Sequence, residues 1–139
     1  MIQRLQSLWL FLAAVFAFLT YRFPFYNGSI TDKSNLLQPA KFTASFDILT
    51  LILTGILTLI CLISIFLFKN RTLQLRLTIA AMVVSILDLV VYFTKLNKFA
   101  KGELSLASIF SFIIPVILFL AARGIWKDEK LIKSLDRLR

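Results

Sequence analysis

Four long apolar stretches with almost no charge constrain the fold of this chain of 139 residues more than any other feature. Three of them, residues 5–21, 48–68 and 104–122, contain no Asp, Glu, Lys or Arg, and the fourth, residues 77–94, contains only Asp88. A helix that crosses a hydrocarbon core of about 30 Å needs about 17–25 residues, so each stretch is long enough. We therefore predict an all-α fold, an integral membrane four-helix bundle.

The composition supports lipid as the solvent for most of the chain. Hydrophobic residues make up 59% of the sequence and charged residues 17%, against about 45–50% and 25% in average globular chains. We expect the first stretch to be retained, because its apolar run is longer than that of a cleaved signal peptide. The predicted organisation is a four-span transmembrane domain, residues 1–126, followed by a short amphipathic C-terminal helix, residues 127–139.

The segments between the apolar stretches are predicted to be loops. Residues 22–46 contain two of the three prolines and the pair Asn27-Gly28, which are typical of turns. Residues 69–76 and 95–103 are short and basic, so we expect tight turns that make neighbouring helices antiparallel.

Each predicted span carries a stripe of small and hydroxyl-bearing residues at helical spacing. In a membrane such residues allow close helix contacts, so these stripes should face a common interior. They are Gln3, Gln6, Ala13, Ala17 and Thr20; Thr50, Thr54, Thr58 and Cys61; Thr78, Ala81, Ser85, Asp88 and Tyr92; and Ser105, Ser108, Ser111 and Pro115.

Asp88 is the most costly residue in the spans, because an acid at a helix centre opposes insertion by about 2.5–3.5 kcal/mol. We predict an intramembrane polar site in which Asp88 meets Ser111 and Thr58, which lie at a similar depth, with Ser85 on the same face. Two interpretations remain open. Asp88 is either a structural acid, bonded to these hydroxyls or paired with Lys95, or a proton or cation site.

The C-terminal tail combines an apolar edge with many charges, and we expect it to contact lipid or a protein partner. The residues predicted for this contact are Lys127, Asp128, Leu131, Leu135, Asp136 and Leu138. A lipid anchor needs only basic charge and an apolar edge. If the tail docks a protein instead, Asp128→Lys and Asp136→Lys should weaken that association while the protein stays in the membrane.

The residue types that are absent exclude several classes of chemistry. The sequence has no His and a single Cys, so a Ser-His-Asp triad, a His metal site and a Cys pair cannot form. We predict no enzymatic activity, no catalytic residue, no cofactor and no metal. The formal net charge is +9, but the basic residues lie at the ends of spans, so nucleic-acid binding is not expected.

The distribution of Lys and Arg predicts the orientation. With the N-terminus inside, ten of the 16 basic residues fall on the cytoplasmic side. They are Arg4, three in residues 69–76 and six in residues 123–139. Since cytoplasmic flanks carry an excess of Lys and Arg, we predict a multi-pass protein with both termini cytoplasmic.

Both ends of the chain resemble a known family. The opening residues 1–6 and the closing residues 127–139, together with Phe68-Lys69-Asn70-Arg71, are similar to a family of short bacterial membrane proteins classified as a domain of unknown function. The resemblance implies a four-span protein of the bacterial inner membrane without an assigned activity.

These observations lead to two hypotheses for the role of the chain. The first is a non-enzymatic inner-membrane protein, an accessory or assembly subunit of a larger complex, whose partners are the bilayer and other membrane proteins or a second copy. The alternative is a small transporter or channel built around Asp88.

Overall fold

The computed structural model, which describes residues 2–31, 36–99 and 101–137, contains four helices and a small sheet. The helices are α1 (Ile2–Leu19), α2 (Ile48–Phe66), α3 (Arg71–Leu96) and α4 (Ser108–Asp136), and the strands are β1 (Tyr26–Thr31), β2 (Leu37–Phe42) and β3 (Lys101–Leu104). The helical fold predicted from the four apolar stretches is confirmed.

The helices form a ring in which each one packs against two neighbours. α1 contacts α2 and α4, and α3 contacts the same two helices. The interior of this bundle holds small and branched residues, including Ala13, Ala17, Ala81, Leu118 and Ala121, all fully buried. Small side chains let the helices approach closely, as the stripes predicted.

For the first three helices, nearly every stripe residue whose side chain is described lies in the interior, as predicted. All five of the α3 stripe residues are buried, and so are Gln6, Ala13, Ala17 and Thr20 of α1. In α4 the stripe is only part of the inner face, because Ile114, Ile117, Leu118, Ala121 and Ile125 are buried along with Ser108 and Ser111. α4 therefore contributes the most apolar face to the interior.

Three helices are long and apolar enough to cross a membrane, namely α2, α3 and residues 108–135 of α4. The apolar part of α1, Leu5–Leu19, is shorter. Many large apolar side chains on the helices are exposed, among them Phe18, Ile48, Phe66 and Phe119. An outer surface of this kind suits lipid rather than water.

The prediction of loops at residues 22–46 and 95–103 was wrong in part, because both segments contribute strands. β1 lies between β2 and β3 and is antiparallel to both. β2 contains Pro39, which cannot donate a ladder hydrogen bond and therefore suits an edge strand. The sheet joins the two outer segments into one structure.

The sheet defines one end of the bundle, which we call the sheet end. There the backbone N–H of Ala44 donates to the carbonyl oxygen of Thr20, and the backbone N–H of Ser105 donates to the carbonyl oxygen of Phe25. At the opposite end, which we call the turn end, a short turn of residues 67–70 joins α2 to α3. The last turns of α4 pack there beside the first turn of α3, since Thr72 donates to Glu129.

Candidate functional site

Asp88 lies inside the bundle and is 6% exposed. The Thr54 hydroxyl of α2 donates to its Oδ2 atom over 3.1 Å. This hydrogen bond to a buried acid joins α2 to α3.

The partners predicted for Asp88 were wrong. Thr58 donates to the carbonyl of Thr54, and Ser85 donates to the carbonyl of Met82, so both hydroxyls are bonded within their own helices. Ser111 is buried, but none of the hydrogen bonds between described residues joins it to Asp88. The alternative partner Lys95 is bonded to Asp47.

Two buried oxygen atoms of this site lack hydrogen-bond partners among the described residues. They are Asp88 Oδ1 and the hydroxyl of Tyr92, one helical turn further along α3. The Thr20 hydroxyl donates to the carbonyl of Ala17, and the Thr54 hydroxyl donates to Asp88 Oδ2. An unpartnered buried polar atom costs about 1–3 kcal/mol, so this polar site is left incomplete by the protein's own side chains.

Tyr92 also connects the polar site to the sheet end. Its ring stacks on Phe25 with centroids 4.5 Å apart, and Phe42 meets it edge-on at 5.3 Å. Phe99 completes this buried aromatic cluster. Since Phe25 directly precedes β1 and Phe42 is the last residue of β2, the sheet holds the Tyr92 ring in place.

A second buried acid, Asp128, closes the turn end. It is 5% exposed, and the Gln6 amide of α1 donates to its Oδ2 atom over 2.6 Å. The Arg71 guanidinium of α3 lies 3.6 Å from the same oxygen. Asp128 thus ties three helices together with an amide and a positive charge.

This environment corrects the prediction for the tail. Asp128 faces the bundle rather than lipid or a partner, and the tail is the continuation of α4 with no break at residue 127. Lys127, Leu131 and Leu135 are exposed as expected for contact residues. The side chain of Asp136 and the whole of Leu138 lie outside the described residues.

Asp47 and Lys95 form an ion pair at the sheet end, with Nζ and Oδ2 2.5 Å apart. The hydrogen bond from Lys95 holds the pKa of the Asp47 carboxyl below its usual value. Asp47 precedes the first residue of α2, but its side chain makes no cap hydrogen bond with that helix. Its role is therefore to join α2 to α3.

The described residues contain no group of three or more Asp, Glu or Cys side chains that could hold a metal ion. Cys61 is buried in the apolar interior. The polar chemistry of the bundle therefore rests on Asp88 with Thr54 and Tyr92, and on Asp128 with Gln6 and Arg71.

A family model described as "Domain of unknown function (DUF4293)" matches residues 2–138. The chain belongs to this family. The match confirms the resemblance at both ends of the chain, and it includes all four helices and the sheet. No curated protein and no solved structure matches the chain.

Sequence reasoning missed Gln6 and Arg71 as partners of Asp128, and Thr54 as the partner of Asp88. Gln6 and Thr54 were both placed on inward faces, so their burial was predictable. Their pairing was not, because it depends on how far each helix is shifted along its neighbours. The available signal was that Gln6 lies on the same helical face as Ala13 and Ala17.

Proposed function

We propose that this protein is a non-enzymatic integral membrane protein of the bacterial inner membrane that acts as an accessory or assembly subunit of a larger complex. In this proposal all four helices cross the bilayer. α1 has 18 residues, which corresponds to about 27 Å at 1.5 Å per residue. Its length and its packing against α2 and α4 support a fourth span.

The observation that carries this proposal is the closed interior. Alanines and branched side chains fill the centre of the bundle, the Gln6–Asp128–Arg71 network occupies the turn end, and the aromatic cluster occupies the sheet end. Three cavities that the structure describes lie outside the bundle, against the last turns of α4. A packed bundle of this kind suits a structural role better than conduction.

The orientation in this proposal has both termini in the cytoplasm, since the turn end carries the larger share of Lys and Arg. Reporter fusions after Asn27, Asn70, Lys98 and Arg139 test it. Activity specific to the outside is expected at Asn27 and Lys98 only. An outside signal at Arg139 would contradict a model with an even number of spans.

The accessory role is tested by deleting the gene and separating native membrane complexes in mild detergent. We expect one complex to lose size or amount, and to recover when the wild-type chain or Asp88→Asn is supplied. Cross-linking from Leu106, which is 96% exposed at the sheet end, would identify the neighbour. An unchanged set of complexes would overturn the proposal.

A second candidate function is a small transporter with Asp88 as a proton or cation site. The observation that favours it is the pair of unpartnered oxygens, Asp88 Oδ1 and the Tyr92 hydroxyl. A lone intramembrane acid with incomplete bonding is a common feature of ion pathways. In this alternative, Asp88 and Tyr92 bind the ion while Thr54 orients the carboxylate.

Flux measurements in sealed vesicles distinguish the two candidates. A transporter should show proton or cation flux that is lost in Asp88→Asn and retained in Ser85→Ala, a matched change one turn away whose hydroxyl bonds its own helix. If wild-type vesicles leak no faster than empty ones, the transporter candidate is wrong.

A further inference from the structure

The exposed face of α4 at the turn end carries three cations in a row. Arg123, Lys127 and Lys130 are spaced by four and three residues, so they share one face of the helix. We call these three residues the basic strip. All three are exposed, and none forms an ion pair with another described residue.

Neighbouring acids are turned away from the basic strip. Asp128 points into the bundle towards Gln6 and Arg71, and Glu129 is bonded to Lys133 and Thr72. A groove of about 450 Å³ runs along the strip and is lined by Arg123, Trp126, Lys127, Lys130, Leu131 and Ser134. Its lining contains cations and no carboxylate, so it is complementary to an anion.

The position of the basic strip along α4 indicates the kind of anion. Arg123 is the first charged residue after the charge-free stretch 104–122, which puts the strip at the level of the lipid headgroups. Trp126 is 57% exposed beside it, and Lys130 lies 5.7 Å from the centre of its ring. An interfacial Trp next to cations is typical of the membrane boundary.

The same face of α4 is apolar on the other side of Arg123. Val116 and Phe119 lie seven and four residues before it, and both are more than half exposed. A ligand that fits this face therefore has an anionic head for the basic strip and a hydrocarbon tail for Val116 and Phe119. A phospholipid has this arrangement, whereas a soluble phosphate lacks the tail.

We propose that this face of α4 is a binding site for one anionic phospholipid in the leaflet that contains the turn end. The phosphate accepts hydrogen bonds from Arg123 and Lys127, Lys130 adds positive charge, and an acyl chain lies along Phe119 and Val116. The proposal is independent of the accessory or transport role, because it concerns the outer surface of one helix.

The test uses Trp126 as the reporter in the full-length protein, with Trp9→Phe removing the other tryptophan. The protein is placed in vesicles that contain brominated phosphatidylglycerol or brominated phosphatidylcholine at equal mole fractions, and quenching of fluorescence is measured. Because both leaflets have the same composition, the orientation of the protein does not matter. We expect phosphatidylglycerol to bind beside Trp126 with about fivefold preference over phosphatidylcholine. This ratio corresponds to about 1 kcal/mol of charge attraction.

Two triple variants decide whether the basic strip causes the preference. Arg123→Gln with Lys127→Gln and Lys130→Gln should reduce it to near onefold, and Arg123→Gln alone should reduce it partly. The matched control removes three exposed lysines at the sheet end, with Lys41→Gln, Lys98→Gln and Lys101→Gln, and should keep the full preference. All six are exposed, and thermal unfolding checks that each variant is folded.

Several results would overturn the proposal. Equal quenching by the two lipids in the parent protein would show no anionic site near Trp126. An equal loss in both triple variants would assign the effect to net charge alone. Displacement of the lipid by soluble glycerophosphate would show that the site takes a free phosphate and not a phospholipid.

Discussion

Asp128 at the turn end and Asp88 towards the sheet end are buried to nearly the same extent, 5% and 6% exposed, yet their surroundings differ. Asp128 receives an amide hydrogen bond from Gln6 and faces the Arg71 guanidinium. Asp88 receives one hydroxyl hydrogen bond from Thr54, and its Oδ1 has no described partner.

The difference in hydrogen-bond partners indicates different roles for the two aspartates. When a buried carboxylate faces a cation and accepts a hydrogen bond from a second donor, these partners compensate for its lost hydration. Removing the carboxylate leaves the cation and the donor unpaired. A buried carboxylate with one hydroxyl is poorly compensated, and a protein retains such a group at a cost. We therefore interpret Asp128 as a structural residue, and Asp88 as the residue on which the transporter candidate depends and the accessory role does not.

The largest expected effect comes from breaking the turn end. Asp128→Ala removes the acceptor of Gln6 and the counter-charge of Arg71, whose side chain is 21% exposed. We expect a loss of about 3 kcal/mol in the free energy of unfolding, the low end for a broken buried pair because Arg71 keeps some water. Unfolding in detergent micelles measures it.

Glu129→Ala is the control for this prediction, because it removes the neighbouring acid and its bonds with Lys133 and Thr72. Lys133 is 72% exposed, so the loss should be much smaller than for Asp128→Ala, because exposed ion pairs contribute little to stability. Equal losses of stability for Asp128→Ala and Glu129→Ala would mean that the burial of Asp128 adds nothing to its contribution to stability.

The next effect concerns the sheet end, where Gly28 and Gly102 face each other on neighbouring strands. A Cβ atom on Gly102 would lie 2.5 Å from the Gly28 Cα atom, with the Tyr26 ring 2.6 Å away. Gly102→Ala should therefore separate β1 from β3 and cost about 2 kcal/mol, as overpacking does.

Gly55→Ala is the matched glycine control, because a Cβ atom there would lie 3.4 Å from the Tyr21 hydroxyl, an ordinary contact. It should leave stability unchanged or raise it by up to about 1 kcal/mol through helix propensity. Hydrogen exchange should show faster exchange of β1 and β3 amides in Gly102→Ala alone. Unaltered exchange there would mean that the glycine pair is not required.

The helices were predictable from sequence because each contains a long apolar run, three of them without a charge and the fourth, in α3, with only Asp88. The sheet was not, since Lys101–Leu104 has no alternating pattern and β2 contains Pro39. The strands form because Gly28 and Gly102 allow close approach beneath the Tyr26 ring. This is a tertiary contact between segments about 70 residues apart.

The inward face of α3 was predictable from helical spacing, but the partner of Asp88 was not. The predicted span begins at residue 77, whereas α3 begins at Arg71, so the predicted level of Asp88 relative to α2 was wrong. Thr54, and not Thr58, lies opposite as a result. The charges of the tail likewise predicted a helix exposed to lipid or a partner. That prediction was wrong for Asp128, because its partners Gln6 and Arg71 lie on two other helices and the sequence does not show that they meet it.

A smaller effect tests the two aspartates with one identical change. Asp88→Asn keeps the shape of the side chain and an acceptor for Thr54, and its amide can donate to the Tyr92 hydroxyl. We expect stability to rise by up to about 1 kcal/mol. Asp128→Asn should instead lower stability, since it removes the charge beside Arg71. A loss in both variants would make Asp88 a structural acid like Asp128.

The smallest expected effect concerns Asp47 and Lys95, the ion pair at the sheet end. The hydrogen bond that Lys95 donates to Asp47 lowers the pKa of the Asp47 carboxyl in the folded protein. The pair therefore stabilises the fold above the pKa of the unfolded chain, about 3.9, and this contribution is lost as the pH falls through the folded value. Asp47→Asn should lower the melting temperature slightly at pH 7 and not at strongly acidic pH.

The control for Asp47→Asn is Glu103→Gln, which removes another exposed acid at the sheet end for which the structure describes no ion pair. It should not change the melting temperature at either pH, because no described cation depends on it. The two variants are compared with the wild type by thermal unfolding at each pH. A difference between wild type and Asp47→Asn that persists in acid would mean that Asp47 acts through packing rather than charge. The sheet end would then be held by its aromatic cluster, whereas the turn end depends on the charge of Asp128.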